Sequence, residues 1–352
     1  MKLLISKKIV KILGRTYTDE NGILWLSQSA DAIEFKFKGS FLNFNLLGDI
    51  TSNTENYIND RARFAIYVDN KIIKKEMMDS PTKSITLNFA DEKYHKILFI
   101  KLSEAKHSSI GIENLETDEN SQLIPTKENQ VKIEFIGDSI TCGYGVDSKS
   151  SDEIFSTMTE DVSKSFAYLA AKKIKADYSF VSYSSFGLYA QWTPDGSFLQ
   201  NWLIPNFYED VSYCIYESKT NYKRWNFDNF KPTYILINLG TNDESYLKDY
   251  TDRQEKFSDA YIAFLIHLRS ANPNAKIICS LSIMKQGKRQ FPWVERAYEI
   301  YKKLTNDKKI FLLEFGTQKD SEGYACGEHP SKITHKRCAQ ELVDFINSIK
   351  DL

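Results

Sequence analysis

A serine stands at the abrupt end of an apolar run in this chain. Val131, Ile133, Phe135 and Ile136 lead into Gly137-Asp138-Ser139, the pattern of a buried strand whose C-terminal end presents a hydroxyl. In an open α/β sheet, ligands bind in the crevice outside such strand ends. A hydroxyl held there by a tight turn becomes a nucleophile once a base reaches it. Alone, Gly-Asp-Ser is only a polar turn after a strand. Three later segments change its weight. Val181-Ser-Tyr-Ser-Ser-Phe-Gly187 ends a second apolar run in glycine, and Tyr234-Ile-Leu-Ile-Asn-Leu-Gly-Thr-Asn242-Asp243 ends a third in asparagine. Glu328-His329-Pro330-Ser331 then precedes the last helical pattern. An imidazole titrates near ~6.5 and suits proton transfer at neutral pH, and His329, in a loop before the last helix, is a candidate base for Ser139 that the fold could carry to the strand ends. His95, His107, His267 and His335 are expected in surface or packing roles.

In this order the four segments resemble the four blocks of the SGNH (GDSL-type) hydrolases. The longer run Gly-Asp-Ser-Ile-Thr-Cys-Gly-Tyr-Gly, with His-Pro-Ser near the C-terminus, resembles carbohydrate esterase family 2. The resemblance implies Ser139 as nucleophile and His329 as base. It also implies an oxyanion held by the N–H of Ser139, the N–H of Gly187 and the side-chain amide of Asn242, each donor contributing roughly 3–4 kcal/mol. Glycine at 187 lets the backbone approach a ligand closely, the rival being a glycine that merely turns the chain after a strand. Asp138 and Asp243 are assigned to holding loops. One position departs from the pattern. Where many SGNH enzymes carry an aspartate three residues before the histidine, this chain has Cys326. Some family 2 esterases instead hold the histidine with a backbone carbonyl, so a Ser139–His329 dyad is expected, with the adjacent Glu328 as the alternative orienting group.

The implied activity is removal of O-acetyl groups from acetylated polysaccharides or oligosaccharides of the xylan, mannan or glucomannan type, with no cofactor and no metal. Tyr189 and Trp192 follow Gly187 closely and are candidates for sugar contact, core packing being the rival for Trp192. Trp202 and Trp225 are unassigned. Two other readings stay open: a GDSL-type lipid or thioester hydrolase, and a carbohydrate-binding protein with little turnover.

These residues need elements to position them. Of the 352 residues, 42% are apolar and 26% charged, a globular balance. The net charge of −1 leaves no footprint for nucleic acid or an anionic membrane surface. Five irregularly spaced cysteines suggest neither a disulfide framework nor a zinc site. Lys7, Lys8 and Lys11 interrupt the N-terminal apolar run, and no stretch has spanning length. The expectation is a cytoplasmic protein, with an oligomer left open.

Residues 1–120 read as a β-sandwich, of jelly-roll form by the resemblance. Ile33, Phe35 and Phe37 alternate with Glu34, Lys36 and Lys38, and Phe64, Ile66 and Val68 repeat the pattern. A polar linker is expected at 121–129. Residues 130–352 then alternate strand and helix. Strands are expected at 131–136, 178–183, 233–239, 275–283 and 309–313, and helices around 163–175, 253–270, 293–306 and 335–349. This predicts a three-layer α/β/α domain around a five-stranded parallel sheet.

Overall fold

The computed structural model describes residues 1–216 and 223–352. The chain forms two compact units. The first comprises Met1–Glu128, Ser156–Asp161 and Asp210–Arg224; the second comprises Asn129–Phe155, Val162–Glu209 and Trp225–Leu352.

The first unit is an antiparallel β-sandwich. In one sheet Tyr17–Thr18, Leu24–Leu26, Ile110–Thr117, Phe41–Gly48 and Thr82–Asn88 are neighbours in that order. In the other the order is Gln122–Pro125, Ala32–Lys38, His95–Lys101, Arg63–Val68 and Lys71–Met77. Side chains alternate between the faces of a strand, so Ile33, Phe35 and Phe37 join Phe44, Phe64, Phe99 and Ile112 in one buried core. The intervening Glu34 is also buried. Its carboxylate is satisfied by Lys96 Nζ at 2.7 Å and Thr126 Oγ1 at 2.6 Å, as a buried charge requires.

The unit extends beyond residue 120. Within the segment expected as a linker, Gln122–Pro125 pairs with Ala32–Lys38, because Leu123 packs on the core. Two later segments join it through buried polar contacts. The N–H of Glu104 donates to Glu160 Oε2 at 2.8 Å, and Arg63 Nη1 donates to the Glu160 carbonyl at 3.0 Å. Gln28 Nε2 donates to the Val211 carbonyl at 3.1 Å.

The second unit has a five-stranded parallel sheet in the order Asp177–Ser182, Lys132–Gly137, Tyr234–Asn238, Lys276–Ser282, Ile310–Phe315. The first strand in sequence thus lies between the second and the third. That is a topological switch point, with a crevice at the strands' carboxyl ends. Its longer helices run Phe166–Lys173, Thr251–Ala271, Lys285–Thr305 and Lys332–Ile349. The last buries Ala339, Leu342, Val343 and Ile346 as one face. The third begins eight residues before the expected 293. Proline disfavours a helix interior, but here the helix runs through Pro292, carried by the buried face of Phe291, Val294, Ala297, Tyr298 and Tyr301. Among the described residues no helix is long and apolar enough to cross a membrane.

Candidate active site

Ser139 opens a four-residue helix directly after the strand Lys132–Gly137. The turn is tight: a Cβ on Gly137 would lie 2.1 Å from Thr141 Oγ1. Asp138 caps it by accepting the N–H of Ile140 at 3.0 Å, which leaves Ser139 buried at the carboxyl end of the strand.

His329 arrives on the loop before the last helix. Its Nε2 lies 2.8 Å from Ser139 Oγ, and its Nδ1 lies 3.0 Å from the carbonyl oxygen of Cys326. A carbonyl only accepts, so Nδ1 carries the proton and Nε2 is left to accept from the serine hydroxyl. The Tyr144 ring packs on the imidazole at 4.3 Å and stacks on Phe155 at 3.8 Å. Glu328 is exposed and adopts φ +60°; Nδ1 is met by the carbonyl and not by this carboxylate.

The loop is fixed from several directions. Cys326 N–H donates to Ser148 Oγ at 2.8 Å, Gly327 N–H to the Ser151 carbonyl at 2.8 Å, and Gln318 Nε2 to the Glu328 carbonyl at 2.9 Å. Ser331 caps the last helix while its hydroxyl donates to the Glu322 carbonyl at 2.7 Å. Arg337 grips Glu322 through two nitrogens, at 2.7 and 3.0 Å, and holds its carboxyl down at about 2.

Ser139 and His329 line a cavity of ≈ 300 Å³ together with Asn242. One N–H of the Asn242 amide donates to the Phe186 carbonyl at 2.8 Å, which fixes the side chain and leaves the other N–H. Next to it, the buried Asp243 carboxylate accepts the N–H groups of Leu188 at 3.0 Å, Tyr189 at 2.6 Å and Ala190 at 2.9 Å. Burial lifts its pKa to about 6, against the pull of those donors.

Gly187 does not line the cavity. Its N–H donates to the Trp202 carbonyl at 3.2 Å in a bridge with Leu203. A Cβ there would stand 1.8 Å from the Ala190 carbonyl oxygen, so glycine is required by the folding of its own loop. Ser185 takes the cavity position instead, at φ +70°. Neither its N–H nor that of Ser139 has an acceptor among the described residues.

Tyr189 is not at the cavity either. Its ring packs against Phe198 at 5.2 Å and Tyr246 at 6.4 Å, drawn there as its N–H is fixed by Asp243. Trp192 does line the cavity and is 49% exposed. Trp202 stacks on Phe186 and Trp225 is buried. Sequence reasoning missed Ser185, Tyr144, Glu244, Met284 and Gln286 as lining groups. Tyr144 and Glu244 lie within or beside the motifs, whereas Gln286 gave no signal. The other histidines sit elsewhere. His95 pairs with Asp69, His107 with Asp60 and His267 with Glu209. His335 is buried and accepts the N–H of Phe166 at 3.1 Å.

Known proteins resemble the chain along most of its length. It is 27% identical over 340 residues to the cellulase/esterase CelE of Acetivibrio thermocellus, a match that spans 94% of this chain but 38% of that protein. It is 23% identical to an acetylxylan esterase / glucomannan deacetylase of Cellvibrio japonicus, over 97% of this chain and 89% of the relative. A family two carbohydrate esterase from Clostridium thermocellum, solved in complex with cellohexaose, superposes with a TM-score of 0.84 at 25% identity, covering 97% of this chain and 100% of that one. Residues 12–126 match the carbohydrate esterase 2 N-terminal family and residues 135–337 match the GDSL-like lipase/acylhydrolase family. The chain therefore belongs to the GDSL-like (SGNH) hydrolases, as a carbohydrate esterase of family 2.

Proposed function

We propose that this esterase removes O-acetyl groups from acetylated polysaccharides or oligosaccharides of the xylan or glucomannan type, through an acetyl-enzyme on Ser139. The observation that carries the reading is the 2.8 Å approach of His329 Nε2 to Ser139 Oγ, within one cavity that also presents unused N–H donors.

In the mechanism, His329 Nε2 takes the hydroxyl proton as Ser139 Oγ attacks the acetyl carbonyl. The oxyanion is received by the N–H of Ser139, the N–H of Ser185 and the free N–H of Asn242, with Ser185 in the role the sequence suggested for Gly187. Donors already in place cost no reorganisation as charge develops. The tetrahedral intermediate collapses with loss of the sugar oxygen, which His329 protonates. A water then gives a proton to His329 as it attacks the acetyl carbonyl. The bond from that carbon to Ser139 Oγ breaks with release of acetate, and His329 returns the proton to Ser139 Oγ. The Cys326 carbonyl keeps the imidazole in the required tautomer, without the full charge that an aspartate would offer the imidazolium. Trp192, half exposed at the cavity, is suited to stack on a sugar ring beyond the acetylated one.

Acetate release from acetylated xylo- and manno-oligosaccharides, compared between wild type and Ser139→Ala, tests the proposal. Release that vanishes in the variant is the expected result. The relative in complex with cellohexaose, a glucan without acetyl groups, supports a second reading in which the cleft grips glycan without turnover. Glycan binding by both proteins with no acetate released would favour it.

A further inference from the structure

Two polar side chains at the cavity have no part in the acyl chemistry above. Gln286 is partly exposed there, and its amide has no hydrogen-bond partner among the described residues. Glu244 lines the same cavity, and its carboxylate is paired with the Arg289 guanidinium. Arg289 lies three residues beyond Gln286 on the helix Lys285–Thr305, so the two emerge as neighbours on one side of it. The result is an amide that can donate and accept, beside a carboxylate that only accepts and is held in place by a cation.

The approach to this helix is sterically costly. Ser282 and Ile283 both lie in the left-handed region, at φ +83° and +68°, an outlier for a β-branched residue. Surrounding contacts enforce the turn. Met284 N–H donates to the Ser282 carbonyl at 2.9 Å and Gln318 N–H to the Ile283 carbonyl at 2.6 Å. Gly287 leaves room that any Cβ would fill, 2.5 Å from the Ser282 oxygen. Strain held by its surroundings gathers where it serves a site. Here its product is a helix that starts at the cavity and delivers Met284 and Gln286 to its wall.

We propose that Gln286 and Glu244 read free hydroxyl groups beside the ester on the acetylated sugar ring, so that the site selects partly acetylated sugars over fully acetylated ones. The proposal rests on the esterase reading. A cavity of ≈ 300 Å³ is at the small end for ligand sites and suits one substituted ring. A free hydroxyl donates to the Glu244 carboxylate and exchanges hydrogen bonds with the Gln286 amide. Once acetylated, the same oxygen has no hydrogen to give, and the carboxylate lone pairs not taken by Arg289 are desolvated without a hydroxyl to meet them. A site built to bond a hydroxyl discriminates strongly against a substrate that lacks it.

The test compares kcat/KM for a mono-O-acetylated methyl xyloside, the fully acetylated methyl xyloside and 4-nitrophenyl acetate. Wild type should prefer the monoacetate over the peracetate by about ten-fold or more. Gln286→Ala and Glu244→Gln should each lower that preference by about ten-fold, mainly through KM for the monoacetate. Hydrolysis of 4-nitrophenyl acetate, which carries no hydroxyl, reports independently whether Ser139 and His329 work. An equal rate on both xylosides by wild type, or an unchanged ratio in both variants, overturns the hydroxyl reading while the esterase reading stands. A wild-type protein inert on all three substrates overturns both.

Discussion

His329 Nδ1 faces the carbonyl oxygen of Cys326 at 3.0 Å, within its own loop. The group that orients the imidazole is thus a main-chain atom three residues upstream. The side chain at 326 contributes nothing to that bond, and Glu328 beside it points elsewhere. Position 326 is free of the demand for an acid, and the buried Cys326 thiol packs against Gly145 instead.

This relationship predicts that Glu328→Gln retains turnover within about three-fold, while Ser139→Ala loses about 10⁴-fold or more, the scale of a missing triad member. Steady-state kinetics on 4-nitrophenyl acetate measure both. A loss near 10⁴-fold in Glu328→Gln would make Glu328 the orienting acid after all.

Ser185 and Gly187 should respond to substitution in opposite senses. Ser185→Gly relieves a left-handed serine, so the protein should gain about 1 kcal/mol and keep its activity, because the N–H remains. Gly187→Ala forces a Cβ onto the Ala190 carbonyl and should cost about 1–3 kcal/mol, with activity falling as the 187–190 loop shifts. Thermal melts and kcat together resolve the pair.

Asp243 holds three consecutive N–H groups of the loop that follows Gly187. Asp243→Ala leaves all three buried without an acceptor, at about 1–3 kcal/mol each. The expected outcome is a protein several kcal/mol less stable, with Asn242 misplaced and kcat reduced more than KM is raised. Normal stability by denaturant titration would contradict the clamp.

Burial, aided by the nearby His329, pushes the pKa of His335 down to about 3, so the fold favours its neutral form. A depressed pKa stabilises the fold fully above the unfolded value near ~6.5. That contribution fades as pH falls from there toward 3, at about 1.4 kcal/mol per unit. His335→Gln should flatten this part of the stability–pH curve. An unchanged slope would mean that other groups set the acid limit.

Trp192→Ala should raise KM several-fold for acetylated oligosaccharides and leave that for 4-nitrophenyl acetate nearly as it was. Equal effects on both substrates would assign the indole to cavity structure, not to sugar stacking.

The sheet and the cavity positions of Ser139, Asn242 and His329 were legible in the sequence because short local motifs, two at strand ends and one just before the last helix, each carry their own residue to the crevice. Ser185 was hidden by its neighbour. A glycine advertises backbone freedom, but at 187 that freedom serves a close approach to Ala190, whereas the left-handed residue at the cavity is a serine. Gln286 was invisible for another reason. The helix that bears it runs through Pro292, where local rules end a helix, so residues 285–292 read as a loop. The segments 156–161 and 210–224 join the sandwich by contacts such as Glu104 with Glu160, 56 residues apart, which no local pattern encodes.

Ser139 and His329 are separated by 190 residues in sequence. Their meeting requires the first strand of the parallel sheet and the docking of the loop that leads into its final helix. Loop closure over such a span is among the slower events of folding. Enzymatic activity in this chain is therefore a late signal: during refolding it should return after the bulk of secondary structure, and its recovery times the last assembly step.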